Sequence, residues 1–225
     1  MNSTNEQKNN KKKKRKSYFV YDFVKVTGVL PVMVWMRPKV IFAGKCKRKD
    51  YKGGMLASCN HRGFTDPIMA HCVFWNRRLH CLATKNLFDT KLKDWFFNQM
   101  HCIQVDKQNF SMDSFHEVIN NLKDDKMVLI FPEGQVNHTD EVLSFKAGAV
   151  LMAHRAGKPI VPVYFPEYGK WYNRRVAIVG DPINVREMCG KIPTMEKLKE
   201  VNEYVRNVEL SLKELYENKY LKKQK

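Results

Sequence analysis

The stretch MLASCNHRGFTDP, residues 55–67, decides how this chain is read. Met55 to Cys59 is a run of apolar and small residues with the length of a buried strand. Asn60-His61-Arg62-Gly63 breaks it, and Asp66-Pro67 is a helix-start signal, with Asp as N-cap and Pro at the first helical position. A strand that turns directly into a helix is half of an α/β unit, and α/β proteins hold ligands at the carboxyl ends of their strands. His61 lies in that turn.

The same alternation runs outward in both directions. Upstream, Tyr18 to Met36 is an apolar helix with scattered polar residues, Lys39 to Gly44 a strand, and Lys45 to Gly54 a basic loop and turn. Downstream come strands at Leu79–Thr84, Cys102–Asp106, Met127–Phe131, Ile160–Phe165 and Val176–Val179. Helices fall at Phe88–Met100, Phe110–Leu122 and Phe145–Ala156, the last ending at Gly157. Leu198, Val201, Val205, Val208, Leu212 and Leu215 step by three and four, so the C-terminus is an amphipathic helix. The expected fold is a single α/β domain whose sheet is largely parallel or mixed, flanked by helices, with an N-terminal interfacial helix.

The chain has 225 residues, enough for one domain with a real core. Lys and Arg outnumber Asp and Glu by 40 to 23, a net charge of +17, so the partners are anionic: nucleic acid, a membrane surface or phosphorylated substrates. The longest uninterrupted apolar stretch, Gly28 to Met36, has nine residues and contains Pro31, so no bilayer-spanning helix is expected. Asp22 and Lys25 interrupt what otherwise imitates a signal peptide. Residues 1–16 are polar and end in the basic run Lys11–Lys16, and they read as a disordered tail.

The six cysteines form no CxxC pair and read as reduced thiols of a cytosolic protein. His71-Cys72, His80-Cys81 and His101-Cys102 are poor chelates, because neighbours on a strand point to opposite faces, and no metal is expected. His61 and Asp66 are five residues apart, the elements of a general base oriented by a carboxylate. His101 and Asp106 share that spacing. On a strand, however, an odd offset sets them on opposite faces about 17 Å apart, whereas the turn after Cys59 folds His61 back toward Asp66.

A series of short motifs then follows in fixed order. After Asn60-His61 and Asp66-Pro67 come Thr84-Lys85-Asn86-Leu87-Phe88, Ile103-Gln104-Val105-Asp106-Lys107, Phe131-Pro132-Glu133-Gly134, Lys146-Ala147-Gly148, Pro159-Ile160-Val161-Pro162-Val163 and Val179-Gly180-Asp181-Pro182. From Val40 to Pro182 this order resembles the glycerolipid acyltransferase family of the lysophosphatidate acyltransferase type. The resemblance implies an acyltransferase domain over 39–225. It would transfer a fatty acyl group from an acyl-CoA or acyl carrier protein thioester, as co-substrate, to the free hydroxyl of 1-acyl-glycerol 3-phosphate, making phosphatidic acid with no cofactor or metal. The alternatives are another acceptor (glycerol 3-phosphate or another lysolipid) or a non-catalytic basic protein that binds membrane or RNA. On that basis His61 is the base and Asp66 its partner, Glu133, Gly134 and Gln135 lie in the acceptor segment, and Lys85, Lys107 and Lys146 face the acceptor phosphate. Pro162 belongs to the segment that shapes the acyl-donor side.

One departure stands out. The family usually continues from Phe-Pro-Glu-Gly with Thr-Arg or Ser-Arg, and here Gln135 and Val136 take those places. Lysines then replace a bidentate guanidinium with point charges. The basic tail beside the helix at 17–38 suits peripheral binding to an anionic membrane, at its cytoplasmic face. No recognition-helix, zinc-finger or RNP-type pattern is present, so nucleic acid is not an expected partner.

Overall fold

The computed structural model describes residues 17–106, 111–139, 141–167 and 174–221; the basic tail and Lys107 lie outside them. Among the described residues one sheet contains β1 (Lys39–Phe42), β2 (Met55–Cys59), β3 (Leu79–Thr84), β4 (Ile103–Val105), β5 (Met127–Ile130), β6 (Ile160–Tyr164) and β7 (Val176–Val179). Their order across the sheet is β1-β7-β6-β2-β5-β3-β4. The strands from β6 to β4 run parallel, β7 is antiparallel to β6, and β1 is parallel to β7. The sheet is therefore mixed.

The helices are α1 (Phe19–Val24), α2 (Leu30–Met36), α3 (Asp66–Val73), α4 (Lys91–Gln99), α5 (Met112–Lys123), α6 (Gly148–Ala156), α7 (Val185–Cys189) and α8 (Met195–Tyr216). Every residue of β2, β5 and β6 is buried, so both sheet faces are covered. Alternation along β2 sends Met55, Ala57 and Cys59 to one core, where Met36, Met69, Val73 and Phe74 close over them. Leu56 points into the other, against Leu122 of α5, Val150 and Ala153 of α6, and Val201 and Val205 of α8.

Helices α4, α5 and α6 begin later than their apolar pattern suggests. Thr90, Ser111 and Thr194 cap α4, α5 and α8, each accepting a hydrogen bond from the amide three residues on. The helix expected from Phe145 starts only at Gly148. The Phe145 carbonyl that such a helix would use in its first turn accepts from Asn202 of α8, and Arg206 holds Leu143 O and Val142 O just ahead of it. The short α7 has too few turns to show a helical period.

The N-terminal segment corrects one expectation. The α1 and α2 helices join through a π-helical turn, Lys25–Val29, into one helix from Phe19 to Met36. Pro31 falls in the first turn of α2, where its missing N–H costs little. The result is an 18-residue helix long and apolar enough, by length and composition, to cross a membrane. Phe19, Phe23, Val26, Leu30 and Val34 are exposed at steps of three and four along it. Its start is tied to the domain. The Tyr18 ring stacks on His101 at 4.0 Å, Asp22 takes two hydrogen bonds from Arg78, and Tyr21 is buried against Leu79.

Candidate active site

The site grows from the ends of three adjacent strands. In register, Ser58 of β2 lies beside Ile130 of β5 and Pro162 of β6, so the segments that follow them leave the sheet together. Asn60 extends this pairing by one residue: its amide donates to Phe165 O at 2.9 Å and accepts from Phe165 N at 2.7 Å. The backbone that carries His61 is thereby fixed from the β6 side.

Asp66 fixes it from the other. It is fully buried, and one carboxylate oxygen faces His61 Nδ1 at 2.8 Å while accepting from the amides of Arg62 at 2.6 Å and Gly63 at 2.7 Å. The expected N-cap role is corrected here. Thr65 holds the cap position, and Asp66 is the first helical residue, with its side chain reaching back into the turn. A carboxylate at a helix start is favoured by the helix dipole, and the two turn amides supply charge-assisted hydrogen bonds.

The His61 ring stacks on Phe131, with centroids 4.1 Å apart and planes 18° from parallel. Phe131 is the first residue beyond β5, so the strand order itself brings the Phe131-Pro132-Glu133-Gly134 segment against the His61 turn. With Nδ1–H donating to Asp66 and one face on Phe131, Nε2 carries the free lone pair. That is the tautomer a general base requires.

The segment after Phe131 packs closely on this turn. Asn137 is buried, donates its backbone N–H to His61 O at 2.7 Å, and accepts from Thr139 through its side chain. Glu133 is buried, and burial raises its carboxyl above the ordinary glutamate range against the opposing pull of Asn137, Arg62 and His61. Gly134 has φ of +70°, and a Cβ there would come within 2.9 Å of Lys146 Cε. Lys146 therefore lies across Gly134, and its backbone N–H donates to Pro132 O at 3.0 Å. Gln135 and Val136 are exposed in the same loop.

The structure thus gathers His61, Asp66, Glu133, Gly134 and Lys146, with Gln135 at their margin. Lys85 is exposed on the turn after β3, separated from β2 by β5. Pro162 is buried inside β6 with its ring against Gly180, not in the open turn. The Gly180-Asp181 pair is structural: Asp181 accepts from the amides of Lys45 and Cys46. Sequence reading passed over Asn60, Phe131 and Asn137 as site residues. The signal for the first two was their place immediately beyond β2 and β5; Asn137 left none.

A carboxylate-oriented histidine in the crevice beyond parallel strands is an arrangement capable of activating a hydroxyl or water for attack. Residues 38–166 match the model of the Acyltransferase family, and the chain belongs to that family. It is 29% identical over 171 residues to a 1-acyl-sn-glycerol-3-phosphate acyltransferase of Bacillus subtilis (strain 168), covering 72% of this chain and 84% of that protein. The enzyme of the same name from Streptococcus pneumoniae is 24% identical over 159 residues, 70% of this chain and 58% of its own length. The fold resembles the crystal structure of the 1-acyl-sn-glycerophosphate (LPA) acyltransferase PlsC from Thermotoga maritima, with a TM-score of 0.61 and 19% identity over 87% of this chain and 79% of that one.

Proposed function

We propose that this acyltransferase moves a fatty acyl group from an acyl-CoA or acyl carrier protein thioester to the free hydroxyl of a 1-acyl-glycerol 3-phosphate, forming phosphatidic acid. The observation that carries the reading is the 2.8 Å contact of His61 Nδ1 with Asp66, set against Glu133 and Gly134. The names of the Bacillus and Streptococcus relatives support the choice of acceptor. Nε2 of His61 removes the hydroxyl proton as the oxygen attacks the thioester carbonyl. The tetrahedral intermediate expels the thiolate, and the imidazolium returns the proton to it. Lys146, Lys85 and Lys107 supply the cations for the acceptor phosphate, with Gln135 beside them. Pro162 acts indirectly on the donor side by shaping the sheet under the turn.

The test is to incubate the purified chain with radiolabelled acyl-CoA and a panel of acceptors, then separate the lipids. Labelled phosphatidic acid is the expected product. Label appearing in every lipid except phosphatidic acid would assign another acceptor, and no transfer at all would reject the reading.

Val136 favours a second acceptor as the alternative, because an apolar side chain stands where the resemblance leads one to expect Arg. Val136→Arg should lower KM for lysophosphatidate roughly tenfold, the yield of one charge-assisted contact. With an acceptor lacking the phosphate monoester, the same change should raise KM, since a guanidinium is then brought in without a partner. The direction of the change identifies the acceptor class.

We also place the helix from Phe19 to Met36 at a membrane surface, peripherally and on the cytoplasmic side, because its outward stripe is apolar while its inner side is tied to Arg78, Leu79 and His101. Phe23→Asp with Leu30→Asp should release the protein from vesicles at every salt concentration. Deleting residues 1–16 should weaken binding only to anionic vesicles in low salt. Retention of the double variant on vesicles in sedimentation would refute the placement.

A further inference from the structure

The C-terminal helix lies outside the stretch that matches the family model, yet one face of it reaches the site. Asn202, Arg206 and Glu209 are spaced by four and three, so they share that face. Asn202 holds Phe145 O at 2.7 Å, and Arg206 holds Leu143 O at 3.0 Å and Val142 O at 2.8 Å. These contacts fix the segment that returns to Lys146. One turn further on, Glu209 occupies a core position between Val205 and Leu212, where an apolar residue would continue the stripe.

Glu209 is fully buried, and neither carboxyl oxygen meets hydrogen-bond geometry among the described residues. The same holds for the two oxygens of buried Glu133. The groups that act on Glu209 are the backbone amide of Asn60, which lies against it, and the carboxyl of Glu133. A buried acid that satisfies no helix contact of its own, placed behind the residue that precedes His61, asks for a role.

We propose that Glu209 is a positioning residue, whose carboxyl bears on Glu133 and the Asn60 amide and so holds the turn that presents His61. Burial, reinforced by the charge of Glu133, keeps Glu209 protonated well above the usual glutamate range. A neutral acid has an O–H to donate toward Glu133 and a carbonyl oxygen to receive the Asn60 N–H. The arrangement deepens the acyl-transfer reading and rests on it, since what is positioned is the His61 base.

The experiment compares wild type with Glu209→Gln and Glu209→Leu in the full chain. Two readouts are taken: kcat and KM with acyl-CoA and lysophosphatidate, and amide hydrogen exchange in peptides covering 59–64 and 131–139. Leucine suits the apolar stripe but offers no polar contact. It should lower kcat about tenfold or more with KM for acyl-CoA little changed, because small displacements of a base are costly. Exchange in both peptides should rise about tenfold in parallel, as local opening becomes easier. Glutamine reproduces the donor and the acceptor of the neutral acid, and should restore both readouts to within about twofold of wild type.

Wild-type kcat and exchange in Glu209→Leu would overturn the proposal, as would a loss in Glu209→Gln as deep as that in Glu209→Leu. If Glu209→Leu does not fold, the pH profile decides. Wild-type kcat should decline at alkaline pH as Glu209 gives up its proton beside Glu133, and Glu209→Gln should remove that limb; superimposable profiles would reject the role. A wild-type protein inactive toward every thioester and acceptor would instead sink the acyl-transfer reading, while the exchange comparison still reports on Glu209.

Discussion

Alanine at His61 should lower kcat for acyl transfer by at least about 10²-fold and leave the fold in place, because a positioned general base typically supplies 10²- to 10⁴-fold. The ring is one-fifth exposed and lies in a turn, so its removal empties no core cavity. Its backbone remains held by Asn137 N–H on His61 O and by the Asn60 pairing to Phe165. The melting temperature should therefore move by no more than a few degrees, as for other substitutions outside the core. KM for both substrates should change little, since Nε2 acts on the proton in the transition state and not on ground-state binding. Steady-state kinetics and thermal melting of the purified variant make the check. Retention of more than about a tenth of wild-type kcat would remove His61 from the role of base.

The sequence displayed the strands and half of the site for identifiable reasons. Strands β2, β3 and β7 begin and end where the mostly apolar runs do, because buried strands need apolar side chains and the turns after them are polar. His61, Asp66, Glu133 and Gly134 lie near one another because β2 and β5 are neighbours, and residues just beyond two paired strands cannot be far apart. What stayed hidden depends on contacts distant in sequence. The late start of α6 follows from Asn202 and Arg206 of α8 capturing loop carbonyls, which no local pattern at Phe145 records. Glu209 interrupts an apolar stripe by one charged residue, and such an interruption looks the same whether the residue turns to solvent or is buried. Tyr18–Met36 reads as a helix whose apolar stretch, Gly28–Met36 with Pro31, is too short to span a bilayer; the π-turn before Pro31 carries one apolar helix from Phe19 to Met36.

Asp66→Asn should cost as much activity as removal of the base itself, and more stability. In the folded chain one oxygen of Asp66 serves three donors, the His61 ring and the amides of Arg62 and Gly63. Asparagine keeps the shape but offers a neutral oxygen beside an NH2 group. If the oxygen stays on the two amides, their hydrogen bonds survive in weakened form. His61 then loses the carboxylate that selects the Nδ1–H tautomer and stabilises the imidazolium formed as the hydroxyl attacks, and kcat should fall about 10²- to 10⁴-fold. If the NH2 turns toward the turn instead, it faces the Arg62 and Gly63 amides, donor against donor, and the turn opens. Either arrangement weakens charge-assisted hydrogen bonds, each worth about 1.5–3 kcal/mol, at a fully buried carboxylate. A loss of roughly 1–3 kcal/mol in unfolding free energy is expected, larger than for His61→Ala. Combining the two substitutions separates these effects. In the double variant kcat should be no lower than in His61→Ala alone, because Asp66 acts on the reaction only through the ring, while the stability losses should stay close to that of Asp66→Asn. A further tenfold fall in kcat in the double variant would mean that Asp66 contributes to the transition state independently of His61.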